Sequence, residues 1–403
     1  MCGATLNCAR SSSTTSVWGG EDAAARAVYG VERSTQVPVV NAISYGYDDL
    51  DAWYDVSLGK APGHIYGRNT NPTVGAFERK LAALEGAPRA IAFASGMAAV
   101  SNTLFTLLAP GDKVVSIKDA YGGTSLLFLE FLPRLGVEVE LLDTADDAAI
   151  GAAIAAGCDV LYLETPTNPT LKLLDIAALS AQARAVGATV VVDNTFATPL
   201  NQSPLSLGAD LVLHSASKYL GGHADAMGGV LCGDEALVQR VYHYREITGA
   251  CLDPHAAYLL LRGMKTLALR VAAQNANALA VARWLEAEPR VEAVHYPGLE
   301  SHPQHALAAR QMHGGFGGML SFTLTGGWPA VRRVLPRLEL AHLAANLGPV
   351  ETVVGPPRTT SHVECTPEER AALGIDEGLV RYSAGIEETE DLLADLQQAF
   401  EHA

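Results

Sequence analysis

Basic charge is what this chain is short of. It carries 28 lysines and arginines against 44 acidic residues, a formal net charge of −16, and only seven of its 403 residues are lysines. Nucleic acid and anionic membrane surfaces call for a basic face, so neither is expected as a partner. Long apolar runs are missing too, since none approaches the roughly 18–20 residues that span a bilayer. The first twenty residues are rich in Ser and Thr, read as a disordered arm and show no charged-then-apolar leader pattern. Six cysteines (Cys2, Cys8, Cys158, Cys232, Cys251, Cys365) form no CxxC pair and no zinc-type His/Cys spacing, so no metal site is expected. Cys158 and Cys232 fall in apolar strand-like runs and read as buried thiols. These features predict a protein of the reducing cytoplasm.

What is present is an ordinary globular composition, 49% hydrophobic and 18% charged, long enough for two domains. From Ala90 onward short apolar runs alternate with helical stretches. "AIAF", "KVVSI", "VEVELLD", "CDVLYLE", "TVVVD", "ADLVLHS" and "GVLCG" read as strands. Helices are expected in "SGMAAVSNTLFTLL", over about 124–135 and over about 174–186. That alternation predicts a mainly parallel sheet covered on both faces. After Pro254 one long helical stretch, residues 255–288, leads to strands in "GGMLSFTL" and "GLVRYSAG" and a closing amphipathic helix "TEDLLADLQQAF". A smaller α/β domain is expected there. The divisions are 1–60 for an N-terminal arm and contact segment, 61–255 for a ligand-binding domain and 256–403 for a C-terminal domain.

Ligands of open α/β sheets sit beyond the carboxyl ends of the strands, so polar residues at those ends are the candidates. Lys218 follows the strand "ADLVLHS". Desolvation there lowers the barrier to using its amine as a nucleophile or imine partner; its bland reading is a loop lysine in water. Asp193 ends the apolar strand "TVVVD", where a buried acid needs a cation such as a protonated ring nitrogen; alternatively it caps the next turn. Ser95-Gly96-Met97 opens a helix whose free N–H groups suit a phosphate, and Ser215 and Ser217 add hydroxyls beside it. Arg381, in "LVRYSAG", presents a fork that fits a carboxylate, or makes a rim salt bridge. An imine lysine, a ring-nitrogen acid, a phosphate cradle and a carboxylate clamp together describe pyridoxal 5′-phosphate (PLP) with an amino-acid substrate.

The motifs "YGRNTNPT", "ASGMAA", "DAYGGT", "ETPTNP", "VVDNTFATP", "HSASKYLGGHAD", "YPGLESHPQH" and "VRYSAGIEETEDL" follow one another in this order. With them the chain from about Tyr66 onward resembles the transsulfuration (Cys/Met metabolism) family of fold-type I PLP enzymes, which includes cystathionine γ-synthases and methionine γ-lyases. The resemblance implies the α/β fold of that group, a large mainly parallel-sheet domain with a smaller C-terminal α/β domain. It implies Lys218 as the imine lysine, Asp193 as partner of the ring nitrogen, and Tyr121 as the ring-stacking tyrosine that assists proton transfer. Gly96, Met97, Ser215 and Ser217 would form the phosphate cradle, Asn168 would lie near the phenolic oxygen, and Arg381 would clamp the α-carboxylate. Tyr66 and Arg68 would reach the phosphate of a neighbouring subunit, which implies active sites shared between two subunits of a homotetramer. The implied chemistry is loss of the α proton, a second deprotonation at Cβ and departure of a Cγ substituent. The resulting vinylglycine-type intermediate eliminates or accepts a new nucleophile.

Departures from the family pattern bear on the substrate. Leu126 stands where cystathionine enzymes place an arginine, and Gly355 where they often carry a glutamate near the distal end of the substrate. Gly123 replaces the cysteine of methionine γ-lyases. Asn346 replaces the serine of a Ser-Leu-Gly motif, and "GPPRTTSH" brings in Arg358, which either binds a substrate group or faces solvent. The expected substrate is a compact γ-substituted amino acid such as an O-acylhomoserine, a methionine-like compound or a γ-halogenated or unsaturated analogue. A β-eliminating C–S lyase and a catalytically silent PLP-binding homologue are the alternatives.

Overall fold

The computed structural model describes residues 11–20, 34–363 and 365–403. Seven strands build the larger sheet: β1 (Arg89–Phe93), β2 (Lys113–Ile117), β3 (Glu138–Leu142), β4 (Val160–Glu164), β5 (Thr189–Asp193), β6 (Leu211–Ser215) and β7 (Gly229–Gly233). Their spatial order is β1-β7-β6-β5-β4-β2-β3, parallel except for β7, which runs antiparallel to both its neighbours. Every residue of β4 and β7 is buried, as expected of apolar strands covered on both faces. Five strands form the second sheet, in the order β10-β11-β12-β9-β8. They are β8 (Val291–His295), β9 (Met319–Leu324), β10 (His342–Leu343), β11 (Val353–Gly355) and β12 (Leu379–Ser383). Among the described residues no helix is long and apolar enough to cross a membrane.

Several expectations need amending. The Ser/Thr-rich start was expected to be disordered, yet Ser12–Trp18 is a helix capped by Ser11, whose hydroxyl accepts from Thr14 N–H. It packs on the helix Pro72–Glu85 and on Leu267–Glu286, and Lys80 Nζ donates to its Val17 carbonyl at 3.2 Å. Composition reports nothing of such a tertiary contact. Residues 1–10 of the expected arm, with Cys2 and Cys8, lie outside the described residues. The long helical stretch is two helices, Pro254–Met264 and Leu267–Glu286. They part where Gly263 meets the backbone of Gly221: a Cβ there would lie 2.0 Å from the Gly221 carbonyl oxygen. The expected helix at 124–135 runs from Gly122 to Arg134 and widens to a π-turn at Leu127–Phe131. Helices Pro72–Glu85 and Glu235–Thr248 were not expected at all. Cys158 and Cys232 are indeed free, buried thiols, and burial pushes both their pKa values up.

The sheets are clasped together by the segment after β4. Ser321 Oγ, on β9, donates to the Pro169 carbonyl at 2.6 Å. Gln304 accepts from Leu173 N–H at 2.7 Å and donates to Leu173 O at 2.6 Å. Gln311 accepts from Ile176 N–H and donates to Leu174 O. This clasp sets the carboxyl ends of the larger sheet against β12.

Candidate active site

A cavity of about 650 Å³ opens between those strand ends and the second sheet. Ten of the residues singled out from sequence line it: Gly96, Met97, Tyr121, Asn168, Asp193, Ser215, Ser217, Lys218, Asn346 and Arg381. One end is built for an anion. Helix Gly96–Leu107 starts there, and Ser95 uses its hydroxyl to cap Ala98 N–H at 3.0 Å. The N–H groups of Gly96 and Met97, first in that helix, therefore take no partner from within it. Backbone and hydroxyl come close enough that a Cβ on Gly96 would sit 2.8 Å from Ser215 Cβ and 2.9 Å from its Oγ. Ser217 Oγ accepts from Gly228 N–H at 2.9 Å, which folds the loop after Gly222 back onto the cavity.

The opposite wall carries acids. Thr195 donates to Asp193 Oδ1 through its hydroxyl (2.6 Å) and its N–H (3.0 Å). The same hydroxyl accepts from Ser215 N–H at 2.9 Å, so one threonine ties the end of β5 to the end of β6. Burial pushes the Asp193 carboxyl up, and the two Thr195 bonds pull it back. Glu164, opposite Asp193 in the β4–β5 register, was overlooked in the sequence. Its carboxylate accepts from Tyr121 N–H at 2.8 Å, fixing the loop that presents the tyrosine ring. Burial, then the Asp193 charge, raise the Glu164 pKa well above the usual carboxylate range. It ends the apolar run "VLYLE" exactly as Asp193 ends "TVVVD", and the same strand-end rule finds it.

Lys218 faces this wall. Burial first, then the charge of Arg381, lower its pKa to about 8, and its Nζ donates to Asn346 Oδ1 at 2.9 Å. Arg381 comes from β12 and is 8% exposed. Its Nε has no hydrogen-bond partner among the described residues, and neither does Asn168 Oδ1. A desolvated guanidinium left open in a cavity wall is a receptor for an anion. Asn346, which replaces the serine of the Ser-Leu-Gly motif among the positions that bear on the substrate, here holds the lysine through its amide oxygen.

Five expected residues lie elsewhere. Tyr66 is 41% exposed, with Arg68 stacked over its ring at 5.1 Å, and Arg68 Nε donates to Glu246 O at 2.9 Å. Neither lines this cavity within the chain. Leu126 is 39% exposed on the helical turn after Tyr121 and does not line the cavity either. Gly355 sits opposite Arg381 on the neighbouring strand, in a narrow crevice it shares with Asn346 and Thr360. Arg358, for which substrate binding and solvent exposure were both open, is turned away from the cavity: its guanidinium pairs with Glu377 at 2.5 Å and lies over the Trp328 ring at 4.6 Å. A nearby carboxylate and an aromatic face hold that cation more closely than an open cavity does.

The model of the Cys/Met metabolism PLP-dependent enzymes matches residues 22–401. The chain belongs to this family. It is 45% identical over 364 residues to an L-methionine gamma-lyase of Pseudomonas putida, covering 90% of this chain and 91% of the relative. It is 44% identical over 338 residues to an O-succinylhomoserine sulfhydrylase of Pseudomonas aeruginosa, covering 84% of each. A cystathionine gamma synthase from Xanthomonas oryzae pv. oryzae, solved with aminoacrylate and cysteine, superposes with a TM-score of 0.90 at 37% identity over 98% of both chains. The fold and the family's cofactor type agree with the sequence reading. The cavity fits that cofactor: the Gly96/Ser215 cradle would take its phosphate, Asp193 its ring nitrogen and Lys218 its aldehyde carbon, while Arg381 would remain for the substrate.

Proposed function

We propose that this family member catalyses γ-elimination or γ-replacement on a compact γ-substituted L-amino acid, an O-acylhomoserine or a methionine-like, γ-halogenated or unsaturated analogue. The observation that carries the reading is the buried Arg381 guanidinium, open on the cavity that also holds Lys218. An α-carboxylate on Arg381 would place Cα and Cβ beside the lysine amine. Bound in its cradle, PLP would supply the electron sink that makes those protons removable. Lys218, with a pKa near 8, is matched to taking and returning protons near neutral pH. Tyr121, held by Glu164 through its backbone, stands at the same wall for proton transfer. Asp193, its carboxylate oriented by two hydrogen bonds from Thr195, would hold the ring-nitrogen proton.

Compactness follows from charge. Besides Lys218 and Arg381, no lysine or arginine of the described residues lines the cavity, so a distal carboxylate would be left unpaired. The N-terminal segment supports assembly of the active site by two subunits, within a homotetramer. Leu50, Trp53, Tyr54 and Tyr66 are all exposed there, an apolar surface of the kind that partners cover. The free, buried thiols suit a cytoplasmic setting.

The test is to mix holoenzyme with γ-substituted amino acids, with and without thiols, and identify the products by mass spectrometry. Formation of 2-ketobutyrate or a γ-substituted product supports the reading. Pyruvate alone would replace it with β-elimination, and a spectrally inert complex across the panel would leave only a binding role.

A further inference from the structure

Behind the Asp193 wall lies a second acid that the chemistry above does not use. Glu85 is the last residue of the helix Pro72–Glu85, followed by Gly86 in the left-handed conformation at φ 67°. A carboxylate at that end opposes the helix dipole, and this one is buried, its side chain 0% exposed. Such a charge is costly unless a cation or a strong donor meets it. His214 Nε2 lies 2.6 Å from Glu85 Oε1, itself only 1% exposed, and Asn194 Nδ2 donates to the same oxygen at 3.1 Å. Glu85 Oε2 has no partner among the described residues. An acid at the wrong end of a helix, with one imidazole at 2.6 Å, has that imidazole as its salt-bridge partner.

The partners of Glu85 are not scattered. Asn194 follows Asp193 at the end of β5, and His214 precedes Ser215 at the end of β6. On the cavity side Thr195 already bridges these two strand ends, from Ser215 N–H to Asp193. Glu85 bridges the same two ends from behind. Gln202 extends the rear bridge, donating to Asn194 Oδ1 at 2.9 Å and to the Thr165 carbonyl at 3.0 Å. We infer that Glu85 and His214 are positioning residues, a buried ion pair that fixes the Asp193 carboxylate against the Ser215–Lys218 turn and presents it with a fixed positive neighbour. The inference rests on PLP binding at this cavity and not on the reaction or substrate proposed above.

The charges around Asp193 make the pair consequential. Glu164 stands beside it as a second acid and Tyr162 OH lies 3.5 Å away. After the two Thr195 bonds, the imidazole of His214 opposes the rise in the Asp193 pKa that burial produces. On the rear side the neighbours of the pair are Asn194 and the Cys232 thiol, whose pKa is raised by burial and then by Glu85. Loss of the pair would remove positive charge from behind the ring-nitrogen acid, and protonated groups across the bound cofactor would hold their protons to higher pH.

The experiment uses Glu85→Gln and His214→Asn, each prepared as holoenzyme and as apoenzyme. Three quantities are read: the PLP dissociation constant, the pH midpoint of the visible band of the lysine-bound cofactor, and the thermal midpoint of the apoenzyme. Positioning predicts PLP binding about tenfold weaker and a band midpoint about half a pH unit or more higher in both variants. A purely structural pair predicts a lower apoenzyme thermal midpoint with wild-type affinity and band midpoint, and that result would overturn the inference. Should one variant fail to fold, the other gives the same discrimination. Failure of wild-type holoenzyme to process any γ-substituted amino acid would sink the proposed function while leaving these three measurements decisive.

Discussion

At the scale of single residues, Lys218 and Arg381 each show what burial does to a cation. Desolvation brings the lysine to about 8 and the arginine to about 10, so the lysine alone changes charge near neutrality. Only the neutral amine attacks an aldehyde. The rate at which apoenzyme captures PLP should therefore fall about tenfold per unit as pH drops below 8, and level off above it. Stopped-flow absorbance checks this, and a flat profile between pH 6 and 8 would contradict the assignment. Arg381→Lys keeps a charge but loses the planar fork. Its effect should be about a hundredfold on kcat/KM for any amino-acid substrate, with PLP affinity little altered. Residues of this kind were legible because an ionisable group in or just after an apolar strand calls for a partner, and several such groups together describe one ligand. Glu164 obeys the same rule. Glu85 and His214 do not, since their roles exist only through partners distant in sequence, and neither does Thr195, whose tie to Ser215 joins strand ends twenty residues apart.

Elements show where local sequence stops being informative. The helix at Gly96 was legible from its Ser-Gly start, and the structure adds why glycine is required. In Gly96→Ala the methyl would press on Ser215 Cβ at 2.8 Å and part the helix N-terminus from β6. PLP affinity should fall by about tenfold or more while the thermal midpoint moves by only a few degrees; equilibrium dialysis and calorimetry separate the two. The loop of Pro356 to His362 was ambiguous in sequence because nothing local told which way Arg358 points. With Glu377 and Trp328 as its neighbours, Arg358→Ala should cost about 1 kcal/mol or less of stability and leave KM within about twofold. A tenfold rise in KM would return the residue to the substrate. The break between Met264 and Leu267 was illegible, because the helical pattern continues through it and only the approach of Gly263 to Gly221 reveals it.

For the molecule as a whole, the order of strands and helices along the chain announced the larger sheet, but not what joins it to the second. That junction is the clasp of Ser321, Gln304 and Gln311 on the segment from Pro169 to Ile176. Gln304 was quoted within a motif without a role; it completes both hydrogen bonds of Leu173. Since Lys218 rides on one sheet and Arg381 on the other, the clasp sets the gap between the proposed base and the proposed carboxylate clamp. Gln304→Ala should reduce kcat/KM severalfold and by the same factor for every substrate tried. A loss that depended on the leaving group would show that the clasp reaches the Cγ end of the site.

Two kinds of wall thus meet in one cavity. On the proposed reading, the strand ends and Arg381 would handle what all amino-acid substrates share, the α-amino and α-carboxylate groups. The end of the short outer strand β11 and the loop from Pro356 to Ser361 are stretches with no part in the PLP cradle. A lineage could exchange those stretches one residue at a time and acquire new leaving groups or nucleophiles while its proton chemistry stayed intact. Inheritance of reactivity and inheritance of taste are, in this fold, carried on separate pieces of chain.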